Sequence, residues 1–87
     1  MRRILVSIEL DGDSPLRRER SVALWLERHV GVQVMAAQWY VLTSLSVEEI
    51  RQEIQTLLDP ADRLLVTQVH GKMSYCNAIE NERFGAA

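Results

Sequence analysis

The sequence predicts an α+β domain with a four-stranded antiparallel sheet and two helices on one of its faces, in the order β-α-β-β-α-β. Three observations carry this expectation. Apolar residues alternate with period two at Ile4, Val6, Ile8 and Leu10, and 63–70 reads as another strand with Leu64, Val66 and Gln68 opposite Leu65, Thr67 and Val69, whereas apolar residues recur at helical spacing after Pro15 and after Ser46. Each helical stretch follows a strand closely and is bounded by turn chemistry. Eighty-seven residues with 47% apolar and 6% aromatic side chains supply one modest core, with no room for a second domain or a deep self-contained cavity.

The first strand spans Arg3 to Leu10, with Leu5, Ser7 and Glu9 on the face opposite the β-branched one. Asp11-Gly12-Asp13-Ser14-Pro15 is a turn leading into a helix, with Ser14 as its cap and Pro15 in its first turn, where the missing N–H has no intrahelical partner. That helix runs to about His29 with Leu16, Ala23, Leu26 and Val30 along its apolar stripe, and Gly31 ends it. Trp25 reads as a helix–sheet core residue and His29 as a helix-closing imidazole. Two extended segments, Val32 to Met35 and Gln38 to Thr43, flank a bend at Ala36-Ala37.

Ser46-Val47-Glu48-Glu49 is a capping box, followed by Val47, Ile50, Ile54, Leu57 and Leu58 at helical spacing. Asp59-Pro60-Ala61-Asp62 stops that helix, because proline cannot continue the hydrogen-bond ladder. Arg63 to His70 forms the next strand, Gly71 breaks it, and Lys72 to Asn77 forms a short fifth strand. A single domain over 1–77 and a polar, fraying tail over 78–87 follow. The order is that of the split βαβ, ferredoxin-like arrangement, whose sheet has one covered face and one bare face. Leu5, Trp39, Val41 and Val69 are candidates for an apolar patch on the bare face, and a symmetric homodimer is its simplest cover, with Trp39, Val41 and Tyr75 as interface residues; Trp39 reads alternatively as a core residue.

Composition excludes several classes. No apolar stretch approaches the roughly 20 residues of a membrane span, and the basic lead Met1-Arg2-Arg3 is broken by Glu9 and Asp11, which predicts a cytoplasmic protein. One cysteine, Cys76, rules out an internal disulfide and a multi-cysteine zinc site. The net charge of −2 does not announce a nucleic-acid binder. Six of the nine arginines, however, fall within the first 28 residues. Arg17, Arg18 and Arg20 open the first helix, where cations oppose the helix dipole; phosphate binding is one reason to keep them there, and surface ion pairs with Glu19, Asp11 and Asp13 are the plain alternative.

Residues 38–71 also resemble a known family. The strand Gln38-Trp39-Tyr40-Val41 leads through Leu45-Ser46-Val47-Glu48-Glu49-Ile50 into a helix, then Leu58-Asp59, a short turn ending in Asp62, Leu64-Leu65-Val66-Thr67 and Gly71. This pattern is similar to the small CRISPR-associated Cas-two family, and most closely to its SinR-like relatives. With the acidic-ended first strand and the arginine-bearing helix, the likeness spans 3–77. The resemblance implies a ferredoxin-like homodimer whose C-terminal strand pairs with its partner's sheet. It also implies association with DNA or RNA and an integrase-type protein partner. Some members cleave RNA or DNA with a divalent metal, and others serve as a structural platform during CRISPR spacer acquisition.

The family's metal-binding aspartate ends the first strand. Its position falls on Glu9 here, and the usual Tyr-Asp pair reads Ile8-Glu9. Glu9 is thus the candidate catalytic and metal-binding residue, with Mg2+ or Mn2+ as the ion. Metal-assisted phosphodiester cleavage needs several hard oxygen ligands close together. Asp11 and Asp13 can add ligands, since alternate residues of an extended turn share a side; the same residues are also ordinary turn and capping composition. The expected function is a nucleic-acid-associated dimeric module of CRISPR or mobile-element type without strong nuclease activity. Its alternatives are a metal-dependent endonuclease and a protein-binding regulatory dimer.

Overall fold

The computed structural model of the chain describes residues 1–74 and 76. Its elements are β1 (Arg2–Glu9), α1 (Pro15–Arg28), β2 (Gly31–Met35), β3 (Gln38–Thr43), α2 (Val47–Gln55) and β4 (Arg63–Gln68). The sheet order is β2-β3-β1-β4 and every neighbouring pair is antiparallel, so β1 lies in the middle of the sheet and β4 at an edge among the described residues. This is the predicted α+β, ferredoxin-like architecture.

Register decides which residues meet the helices. Ile4 faces Val41 and Val6 faces both Trp39 and Val66, and residues directly opposite in an antiparallel pair share a face. Ile4, Val6 and Val41 are fully buried in one cluster with Val22 and Leu26 of α1 and Ile50 and Ile54 of α2. Each such side chain contributes about 1.5–3 kcal/mol of burial. The expected interface role of Val41 is thereby corrected: it lies in the core under the helices. Trp39 packs against the same cluster and lines a cavity of about 260 Å³ between α1 and the β2–β3 hairpin, so it too faces away from the bare side.

The opposite face carries Leu5, as expected, together with Val32, Val34 and Tyr40. Val34 follows Val32 onto this side by alternation, at a register shift between Gln33 and Met35, and it and Tyr40 are buried there. Part of that face is already covered. The chain turns at Gly71 (φ 75°), the Arg3 guanidinium donates to the Gly71 carbonyl at 2.5 Å, and Met73 packs against the Val34–Tyr40 cluster. Burial accordingly raises the Tyr40 hydroxyl above its ordinary pKa, with the Arg3 charge acting the other way. Residues 72–74 form no strand, which corrects the expected fifth strand over them; Tyr75, Asn77 and the tail over 78–87 lie outside the described residues.

The helices were legible at one end each. In α2 both halves of the capping box form: the Glu49 amide donates to the Ser46 hydroxyl and the Ser46 amide donates to the Glu49 carboxylate, each at 3.1 Å. That backbone donor holds the Glu49 carboxyl below its usual pKa. The helix stops at Gln55, and Leu57 and Leu58 fall in a tighter turn whose amides donate to Ile54 and Gln55 carbonyls at 2.9 and 3.2 Å. In α1, Ser14 precedes Pro15 as expected but has a left-handed backbone (φ 54°) and makes no side-chain cap. Its predicted stripe is also corrected: Leu16 and Val30 are exposed, and Val22 and Leu26 are the buried residues.

At the other end of α1 the left-handed residue is Val30 (φ 63°), one before the glycine at which the helix was expected to end. Gly31 instead allows close approach, since a Cβ there would lie 2.8 Å from the Leu26 carbonyl oxygen. A β-branched residue in the left-handed region costs roughly 1–2 kcal/mol. Val30→Gly is expected to stabilise the fold by up to about 1 kcal/mol, after the extra freedom it gives the unfolded chain. The result would appear as a Tm raised by a few degrees; an unchanged or lowered Tm would show that the Val30 side chain compensates its own strain.

Candidate nucleic-acid interface

The buried pair Val22 and Leu26 fixes the rotation of α1 about its axis. At 100° per residue, Arg17, Arg20, Leu24 and Arg28 then fall within one outward stripe, and all four are exposed. From Arg17 to Arg28 the stripe covers roughly 16 Å along the helix axis. No ion pair to Arg17, Arg20 or Arg28 forms among the described residues, so the surface pairing with Glu19, Asp11 or Asp13 considered from sequence does not occur there. Arg28 was not singled out in the sequence, although its four-residue step from Leu24 and eight-residue step from Arg20 place it on that face.

Arg18 is different, and its expected phosphate contact is corrected. Its position on the helix turns it inward, where its side chain is 13% exposed and meets Asp62, which is 0% exposed. Nε donates to Oδ2 at 2.6 Å and an outer nitrogen donates to Oδ1 at 3.1 Å, a two-pronged arrangement. Asp62 also accepts from the Gly12 amide at 2.9 Å and the Asp59 amide at 2.8 Å. Arg18 foremost, then these two amides, hold the Asp62 carboxyl well below the usual carboxylate range against the opposing effect of burial. Gly12 packs so closely on Asp59 that an added Cβ would lie 2.5 Å from its Cγ. One carboxylate thus ties the β1–α1 loop, the first turn of α1 and the α2–β4 loop together. No local pattern marks this pairing, because Asp62 reads as part of a helix stop and its partner lies 44 residues away.

The acidic residues form no comparable cluster. Glu9 ends β1 opposite Arg63, with its carboxylate 3.7 Å from that guanidinium and both side chains well exposed at 64% and 77%. An exposed pair of this length contributes little. Asp11 and Asp13 are exposed on either side of the pinned Gly12. Among the described residues no three His, Cys, Asp or Glu side chains gather to hold a metal ion. Glu9, Asp11 and Asp13 therefore do not make a three-ligand site for Mg2+ or Mn2+ within one chain. Alternation along β1 also puts Glu9 on the sheet face away from the helices, whereas the arginine stripe faces outward from the helix layer. The structure does not bring these two sets of candidates into one site.

His29 has a structural place. Its Nδ1 donates to the Trp25 carbonyl at 2.8 Å, and its ring stacks on Trp25 with centroids 3.8 Å apart. Cys76 is a free, exposed thiol. Among the described residues no helix is long and apolar enough to cross a membrane.

No family model matches the chain, and no curated protein matches it. Among solved structures it is similar to a hypothetical protein, TT1823, from Thermus thermophilus, at a TM-score of 0.71 and 22% identity, covering 91% of this chain and 95% of that one. At that identity the likeness speaks for the fold alone.

Proposed function

We propose that this chain is a homodimeric module that holds a nucleic-acid backbone along α1, without strong nuclease activity. The observation that carries the reading is the exposed stripe of Arg17, Arg20 and Arg28, three cations on one helix face in a protein of net charge −2. Arginines so spaced offer charge-assisted hydrogen bonds to successive phosphates and no groups arranged to read base edges. The binding is accordingly sequence-independent. The resemblance of residues 38–71 to the SinR-like relatives of the Cas-two family supports the same reading and adds its setting: a CRISPR or mobile-element system, with an integrase-type protein as a further partner.

The dimer follows from the edge of β4. Among the described residues no strand pairs with its outer side, Leu65 is 63% exposed, and a groove lined by Val47, Arg51 and Leu64 runs beside it under α2. A second copy pairing there satisfies edge backbone groups that are otherwise left to solvent. Leu65→Asp is expected to turn a dimer into a folded monomer by sedimentation with an unchanged far-UV spectrum. A variant that stays dimeric places the contact elsewhere.

Nucleic-acid binding is tested by fluorescence anisotropy with labelled 30-mer DNA duplex, RNA duplex and single strands in low salt. Expected dissociation constants lie at about 1–100 μM with little dependence on sequence. Absence of binding to all four would overturn the reading. Parallel incubations with Mg2+, Mn2+ or chelator, using wild type and Glu9→Ala, are expected to show no cleavage that needs both metal and Glu9. Cutting that needs both would establish the endonuclease instead.

A further inference from the structure

The first two turns of α1, residues 15–21, contain no buried residue, no side-chain cap at Ser14 and no acid in the first turn, and Leu16 within them is exposed. Arg17 and Arg18 add positive charge at the end where the helix dipole disfavours it. What ties these turns to the body of the protein is the Arg18–Asp62 pair, two hydrogen bonds at 2.6 and 3.1 Å to a side chain that is itself fully buried and anchored by the Gly12 and Asp59 amides. Beyond them the helix is held differently, by Val22 and Leu26 in the core.

We infer that Asp62 is a positioning residue for nucleic-acid binding: through Arg18 it holds the first two turns of α1 so that Arg17 and Arg20 present their guanidinium groups together. This rests on α1 being the nucleic-acid face. Arg28 lies on the core-anchored part of the helix and does not depend on Asp62. The inference has a distinctive sign. Removing the Asp62 charge makes the protein less acidic and releases Arg18, and on charge alone both changes tighten binding to a polyanion. Positioning predicts the reverse.

The test measures dissociation constants for a labelled 30-bp DNA duplex at fixed low salt. The variants are Arg17→Ala/Arg20→Ala, Arg28→Ala, Asp62→Asn and the combinations of Asp62→Asn with each. Asp62→Asn is expected to weaken binding about three- to tenfold, to add nothing to Arg17→Ala/Arg20→Ala, and to multiply with Arg28→Ala. If Arg17→Ala/Arg20→Ala weakens binding but Asp62→Asn leaves it unchanged or tighter, the positioning role is overturned and the nucleic-acid reading stands. If Arg17→Ala/Arg20→Ala binds like wild type, the reading of α1 itself fails. Equal multiplication of Asp62→Asn with both arginine sets would mark a general loss of structure and also overturn the inference.

Should Asp62→Asn fail to fold, Arg18→Lys serves as the second variant, since it keeps the charge and loses the two-pronged geometry. In it, amide hydrogen exchange is expected to quicken over 17–21 while 22–28 stays protected, with the same pattern of additivity in binding. Unchanged exchange over 17–21 would contradict the tether.

Discussion

Replacing Arg17, Arg20 and Arg28 together with alanine is expected to weaken binding to a DNA duplex by roughly 100-fold at low salt, at about 1 kcal/mol for each exposed arginine–phosphate contact. All three side chains are exposed and none takes part in the buried clusters, so the fold has little reason to respond. Circular dichroism and Tm should match wild type within a degree or two. The effect should be uniform across sequences, because phosphate contacts position the duplex without reading it. Lys72→Ala, at an exposed position just after Gly71, controls for the loss of a positive charge elsewhere and should change affinity by less than about threefold. Equal losses from both changes would mean that overall charge, and not the α1 face, governs binding.

The second large effect concerns Asp62 and acid. Its carboxyl is held below the ordinary range in the folded protein, so between the folded and unfolded pKa the unfolded chain binds more protons and stability rises with pH. The contribution is complete above the unfolded value of about 4 and is lost progressively as pH falls below it towards the folded value. Wild type should therefore lose stability below about pH 4. Asp62→Asn should be less stable at pH 7, with Tm lower by roughly 10 °C or more, because the mostly buried Arg18 guanidinium is left without its counter-charge. Its Tm should also fall less steeply between pH 4 and pH 2.5 than that of wild type. Parallel pH profiles for the two proteins would show that another carboxylate controls acid unfolding.

The fold was readable because its signals are local. The alternation Ile4-Val6-Ile8 and the Ser46–Glu49 box each name an element from a few adjacent residues, and both appear as expected. Which face a strand residue occupies was less accessible. Trp39 and Val41 are candidates for the bare side on sequence, Trp39 for the core as well, and the pairing of β3 with β1, set by residues more than 30 positions apart, turns both under the helices. The same limit hid the Arg18–Asp62 contact and the return of Met73 over the sheet. Arginine clustering in the first helix was visible, but its division into an inward Arg18 and an outward Arg17 and Arg20 depends on the rotation that Val22 and Leu26 impose. The left-handed Val30 had no precursor in the pattern, which marked only the glycine beside it as the helix end.

The most direct measurement is the salt dependence of wild-type binding to a 30-bp DNA duplex, followed by anisotropy from 25 to 200 mM. Three arginine–phosphate contacts predict that log K falls with log salt at a slope of about −3, or about −5 when both α1 faces of a dimer engage one duplex. The triple arginine variant should lose most of that slope. A slope near zero with measurable affinity, or an unaltered slope in the triple variant, would contradict a backbone-holding α1 face.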